Sequence, residues 1–177
     1  MRALGSEHIE HRLGQAAPGL AGKRAGAAWL GMPIAELSHL QRVLLIGSTV
    51  RQEQPLVAHR LRQAVKRGAQ VNVVHAADDD LYCRVANKLI DKPSAWVDAL
   101  AQVAKALQEA GAALPAELAG QLGSVVVSAA ARAIAASLQG GERKAVLLGA
   151  SAQNHPAAAQ LHQLAAAIAE ASGAKLG

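Results

Sequence analysis

Phenylalanine is absent from this 177-residue sequence, and aromatic residues of every kind make up only 2% of it. That scarcity argues against a groove lined with aromatic rings for stacking nucleobases. The core has to be built from Leu, Val, Ile and a great deal of Ala within a 51% apolar composition. Small side chains let helices lie close on a sheet, because interiors pack to a nearly fixed density. Cysteine occurs once, at Cys83. One thiol excludes an internal disulfide and any cysteine cluster for zinc or iron–sulfur. Beside Arg84 and nothing else of note, Cys83 reads as a half-buried structural thiol. Long apolar runs are missing too. The best candidate, Val125 to Leu138, contains Arg132 and falls short of the roughly 20 residues a membrane span needs. Met1 to Leu13 carries Arg2, Glu7, Glu10 and Arg12, which is no signal-peptide pattern. A reducing, soluble setting without membrane insertion is the expectation.

Charge is sparse, at 18% of residues, and leans positive: 18 Lys and Arg against 13 Asp and Glu, net +5. Sparse charge implies apolar surface meeting another domain or subunit. The positive balance alone would allow a nucleic acid partner. Placement argues otherwise. A helix over Gln54 to Gly68 buries Val57, Leu61, Ala64 and Val65, with Arg60 and Arg67 on one flank and Arg62 and Lys66 on the other. The cations straddle an apolar stripe and form no single basic face, so no nucleic acid partner is expected.

Regular structure becomes legible after an irregular segment, residues 1–40, broken at Pro18, Gly19, Gly22 and Gly26 and holding a short helix near Ile34 to Leu40. Arg42 to Ile46 is an apolar run closed by Gly47, as in a strand buried on both faces. Pro55 opens the helix and Gly68 ends it. Val71 to His75 is a second strand, so the unit is β-α-β with parallel neighbours and a right-handed crossover. Leu81 to Ile90 reads as a short helix or irregular segment. Ser94 is placed to cap a helix from Ala95 to Ala110, with Trp96, Leu100, Val103 and Leu107 inward. Pro115 to Leu122 is a shorter helix, and Ser124 or Ser128 starts another that reaches Leu138. Ala145 to Leu148 is a third buried strand, and Pro156 to Ser172 a last helix.

Two stretches nearly repeat. V-L-L-I-G-S, Pro, helix, G-A from Val43 to Ala69 matches V-L-L-G-A-S, Pro, helix, G-A from Val146 to Ala174. One parallel sheet built twice from the same unit would read this way. The predicted fold class is therefore α/β: a Rossmann-like three-layer α/β/α arrangement with a mostly parallel sheet. Residues 1–177 form one domain, with the α/β core over 41–177. The pattern at both ends reads as a segment of a larger protein.

Both units place a glycine turn where a strand hands over to a helix. The candidate ligand-binding residues are therefore Gly47, Ser48, Thr49, Gly149 and Ser151. Backbone N–H groups in such turns can cradle phosphate, and open parallel sheets bind ligands along that edge. Neither turn is G-x-G-x-x-G or a Walker loop, and turn chemistry alone accounts for a glycine after a strand. The candidates are vestigial on that reading. Asp78-Asp79-Asp80 stands where dinucleotide folds place a ribose-binding acid, and it could attract a divalent cation. It lacks the alternating ligands and glycine of a calcium loop, and a solvated acidic turn explains it. His8 and His11 are three apart with no further ligand at metal spacing; His59, His155 and His162 lie at helix starts or on helix surfaces. No catalytic or metal residue is assigned.

Gly5 to Leu13 (G-S-E-H-I-E-H-R-L) resembles the G-x-N-N-I-D-H-R-x segment of the large iron–sulfur subunit of bacterial respiratory complex I, the NADH-quinone oxidoreductase. Leu30 to Leu37, Val43 to Arg62 and Leu147 to Gly173 are similar, in the same order, to later blocks of that family; Ala76 to Leu122 carries little of the likeness. The family sits within the molybdopterin oxidoreductase superfamily. The resemblance implies a structural domain in an enzyme that passes electrons from NADH to quinone, coupled to proton translocation. It implies partners among the other domains of the subunit and the other peripheral-arm subunits, at the cytoplasmic face of the inner membrane. Iron–sulfur clusters would lie in a cysteine-rich region outside this segment, leaving no cofactor within it. Superfamily members that hold a pterin dinucleotide usually read G-S-N-P at the first turn and D-P-R after the second strand. Here those places read Gly47-Ser48-Thr49-Val50 and His75-Ala76-Ala77. The alternatives are a molybdopterin guanine dinucleotide-binding domain of a molybdoenzyme and a plain nucleotide-binding module.

Overall fold

The computed structural model describes residues 29–177. Five strands, all parallel, form one sheet: β1 (Arg42–Ile46), β2 (Gln70–His75), β3 (Asn87–Ile90), β4 (Lys144–Leu148) and β5 (Lys175–Leu176), in the order β3-β2-β1-β4-β5. Leu44 stands beside Asn72 on one side and Val146 on the other. The chain leaves β1 in one direction and reaches β4 in the other, so the order reverses between the two central strands.

The near-repeat is realised as two matching units. In the first, β1 leads through α1 (Val50–Glu53) into α2 (Pro55–Lys66); in the second, β4 leads through α6 (Ala150–Gln153) into α7 (Ala158–Ser172). Right-handed crossovers running in opposite directions put their helices on opposite faces of the sheet. Val57 and Leu61 of α2 accordingly share one apolar cluster with Val43, Leu45, Val71 and Leu147. Leu161 and Ile168 of α7 share the other with Leu44, Ile46, Val74 and Val146. Alternate residues of each strand feed alternate faces, as the pleat requires. The second face also receives α3 (Trp96–Glu109) and α5 (Ala129–Gln139), with α3 packed against both α5 and α7. α4 (Ala116–Gln121) adds Leu118 to this layer. The first face is completed by a 3-10 helix, Ile34–His39, through Leu37. Arg67 Nη1 donates to the Ser38 carbonyl at 3.1 Å, so one basic flank of α2 clamps this turn.

Several expectations need correction. Asn87–Ile90, within the stretch expected to be helical or irregular, is an edge strand paired to β2. Lys175–Leu176 adds a fifth strand, and Gly177 extends its pairing: its N–H donates to the Val146 carbonyl, and its own carbonyl accepts from Leu148. Ser94 caps nothing. It lies in a 3-10 turn, Pro93–Ala95, and the residue preceding α3 is Ala95, which has no side-chain cap. The last helix starts at Ala158 after the separate short α6, while the short helix expected near Ile34 to Leu40 is present as the 3-10 helix Ile34–His39. The breaks at Pro18 to Gly26 and the segment Gly5 to Leu13 lie outside the described residues.

Of the two serines offered as the start of α5, Ser128 caps it: its Oγ accepts from the Ala131 N–H at 3.2 Å. Ser128→Ala is expected to cost about 1 kcal/mol of unfolding free energy in urea titration. No loss within error would show that the cap is solvated away.

Candidate functional site

The switch between β1 and β4 is where an open parallel sheet offers a crevice at its carboxyl edge. Both predicted glycine turns meet there. Gly47 takes the left-handed conformation, φ 57°, and its carbonyl accepts from the Ser151 N–H at 3.1 Å. Gly149 donates to the Ile46 carbonyl at 2.8 Å and is extended, φ −81°. The turns are pressed together. A Cβ on Gly149 would collide with Ser48 Cα, Ser48 Cβ and the Gly47 carbonyl. A Cβ on Gly47 would come within 2.8 Å of the Ala152 backbone nitrogen and 2.7 Å of the Trp96 ring.

Two residues that the sequence did not single out for this edge fill it. Trp96, only 1% exposed, lies against Gly47 with His75 and His155 on either side, ring centroids 5.9 and 5.8 Å away. Its indole N–H donates to the Asp91 carbonyl at 3.1 Å. Glu53, the last residue of α1, turns its carboxylate back over both turns. Oε1 accepts from the Thr49 hydroxyl at 2.6 Å and the Thr49 N–H at 3.2 Å. Oε2 accepts from the Ala150 N–H at 3.3 Å and the Ser48 hydroxyl at 3.4 Å. Burial pushes the carboxyl pKa up, but the bonds from Thr49, Ala150 and Ser48 outweigh it, and Glu53 titrates below the ordinary carboxylate value. Donors of the kind that cradle phosphate in other parallel sheets are thus engaged by an internal anion. Of the predicted residues, Ser48 and Thr49 donate to Glu53, while Gly47, Gly149 and the Ser151 N–H lock the turns to each other.

A phosphate at this edge would meet the Glu53 carboxylate beside the donors, and Gly149 is buried. The signal for Glu53 was an acid four residues past Thr49, a displaced relative of the capping box. Trp96 had none, since it arrives from beyond β3.

Because the bound form of Glu53 is the ionised one, its contribution is present above the unfolded carboxyl pKa, near 4.5, and is lost as pH falls through the lowered folded value. Glu53→Gln is expected to cost about 1 kcal/mol at pH 7, solvent screening included, with the gap from the parent chain closing below pH 4.5. Urea titrations at the two pH values check it; a gap independent of pH would assign the loss to packing.

The other candidates scatter. Asp78 pairs with Lys88, Asp80 Oδ1 accepts from the Tyr82 N–H at 2.8 Å, and Asp79 faces His75. His155 Nδ1 accepts from the Ala157 N–H at 3.0 Å, His59 is exposed, and His162 lies on α7. His8 and His11 lie outside the described residues. Cys83 is half-buried, as expected; burial and Asp80 raise its pKa, against a smaller opposing effect of Arg62. Among the described residues no three His, Cys, Asp or Glu gather to hold a metal, and no helix is long and apolar enough to cross a membrane.

A five-stranded parallel sheet with paired glycine turns at its switch point defines a Rossmann-like α/β domain. The molybdopterin oxidoreductase family pattern matches residues 1–176, and the chain belongs to that family of oxidoreductases. No curated protein matches it.

Proposed function

We propose that this chain is a scaffold domain of the complex I large iron–sulfur subunit type, carrying no redox centre itself. Its parent enzyme passes electrons from NADH to quinone, coupled to proton translocation, at the cytoplasmic face of the inner membrane. The domain packs against other parts of that subunit and of the peripheral arm. Iron–sulfur clusters are held elsewhere in the parent. The observation that carries this reading is Glu53, whose carboxylate takes the donors at the switch point that a phosphate would need. The departures Thr49-Val50 and His75-Ala76-Ala77 from the pterin-binding turns support it. The predicted vestigial set, Gly47, Ser48, Thr49, Gly149 and Ser151, then serves packing.

Family membership favours the second reading, a molybdopterin guanine dinucleotide-binding domain. Native and denatured mass spectrometry with metal analysis, after incubation with that dinucleotide, separates the two. The scaffold reading expects no retained pterin and no stoichiometric redox centre; either one would overturn it. NADH:quinone reductase activity co-purifying with the intact parent is the expected result for the finer assignment. Its absence would remove complex I and leave the family.

A further inference from the structure

The first face of the sheet is covered by α2, and what α2 turns outward is charged with one sign. The helix has no acidic residue, while Arg60, Arg62 and Lys66, followed by Arg67 at its C-cap, are all exposed. Among the described residues none of these cations pairs with a carboxylate. Arg60 and Arg67 reach Ser38 instead, through its hydroxyl at 3.5 Å and its carbonyl at 3.1 Å. The helix dipole accounts for Lys66 and Arg67 in the last turn, and not for Arg60 and Arg62 in the middle. Charge on the opposite face is matched: Arg132 of α5 pairs there with Glu109 of α3 at 3.1 Å. Apolar groups stand among the cations of α2. At about 3.6 residues per turn, Leu56 falls on the exposed arc between Lys66 and Arg67, and it is 70% exposed. The loop after β2 packs into the same cluster beneath α2 through Leu81, Cys83 and Val85, and carries Tyr82 outward, 62% exposed. Tyr82 has φ 52°, which residues with a side chain seldom adopt, and the Asp80 carboxylate holds the turn by accepting its N–H. The Arg51 guanidinium lies 4.3 Å over the Tyr82 ring.

We propose that this face docks onto an acidic protein surface of a neighbouring domain or subunit. Leu56 and Tyr82 are its anchors, and the cations around them form its rim. An apolar centre with a charged rim, using Tyr and Arg, is the anatomy of a protein interface. Uncompensated charge of one sign selects a partner of the other, because like charge brought against it is repelled. Polynucleotide fits less well. Its phosphates would match the cations but leave Leu56 in water, and a single tyrosine gives bases little to stack on. The proposal rests on the scaffold reading for where the partner belongs, and it names a surface for the packing which that reading requires.

Fluorescence anisotropy of the 177-residue chain with a labelled helical peptide of Glu and Leu, ~20 residues long, tests this at low salt. The expected result is saturable binding, weakened at least ~5-fold by each of Leu56→Ser, Tyr82→Ala, Arg60→Glu and Arg62→Glu. Lys92→Glu makes the same change of net charge away from α2 and the Tyr82 loop, and is expected to leave affinity within ~2-fold. Every one of these positions is exposed, so the fold is not at stake. No peptide binding, an equal loss in Lys92→Glu, or indifference to Leu56→Ser and Tyr82→Ala would overturn the proposal. So would tighter binding of oligodeoxythymidine of ~20 nucleotides that Leu56→Ser leaves unchanged, which would assign the face to nucleic acid. Failure here removes the surface alone, because retained pterin or a redox centre is what removes the scaffold reading.

Discussion

Gly149→Ala is expected to lower stability by about 3 kcal/mol and Tm by roughly 6–12 °C. The cost is steric alone. Gly149 is extended, φ −81° and ψ 177°, a conformation alanine adopts freely. The added carbon would collide with Ser48 Cα, Ser48 Cβ and the Gly47 carbonyl, two of which are backbone atoms that no rotamer change can move. Relief requires β1 and β4 to part at their carboxyl ends, and that breaks the Gly149 to Ile46 and Ser151 to Gly47 bonds. Gly173→Ala is the comparison. Gly173 ends α7 at φ 68°, with nothing within 4 Å of the added carbon. Only the left-handed backbone resists there, at about 1 kcal/mol. Thermal unfolding of both variants separates the two causes. If Gly149→Ala unfolds no earlier than Gly173→Ala, the turns are looser than described, and the crevice is open to ligands after all.

That comparison also shows why the frame was readable and its contents were not. β1, β2 and β4 are central strands buried on both faces, so each carries an apolar run, broken in β2 only by Asn72, that length and flanking glycine identify. β3 is an edge strand of four residues, N-K-L-I, alternately half-buried and exposed, with too little apolar signal to tell from a loop. β5 has two residues, below the reach of any periodicity. The glycine turns were legible because positive φ and close approach leave few other choices. Whether the crevice between them is filled depends on side chains from elsewhere in the chain. Glu53 returns from the end of α1, and Trp96 comes from the far side of β3. Sequence spacing carries no record of that convergence.

Asn72 poses the same problem in the core and carries the second large expected effect. It stands in the middle of β2, fully buried, where a strand reading V-N-V-V would lead one to expect another aliphatic residue. Its amide donates to the Val43 carbonyl and to Ser137 Oγ, each at 3.0 Å, and its Oδ1 accepts from Asn87 Nδ2 at 2.7 Å. Ser137 Oγ passes the chain on by donating to Gln70 Oε1 at 2.8 Å. One side chain thereby ties β1, the edge strand β3 and helix α5 to β2. Asn72→Ala leaves a cavity and strips partners from Ser137 and Asn87, for a combined loss of about 3–4 kcal/mol. A typical domain has only ~5–15 kcal/mol in total, so much of the margin would go. Asn72→Leu separates shape from polarity, since it restores volume and no bonds. If the network matters through its hydrogen bonds, Leu recovers little of the loss. Combining Asn72→Ala with Ser137→Ala in a double-mutant cycle should give a coupling above ~0.5 kcal/mol. Additive losses, or a leucine variant as stable as the parent, would reduce Asn72 to a space-filling residue. Short β3 would then have to keep its place at the sheet edge by its backbone pairing to β2 and apolar contact alone.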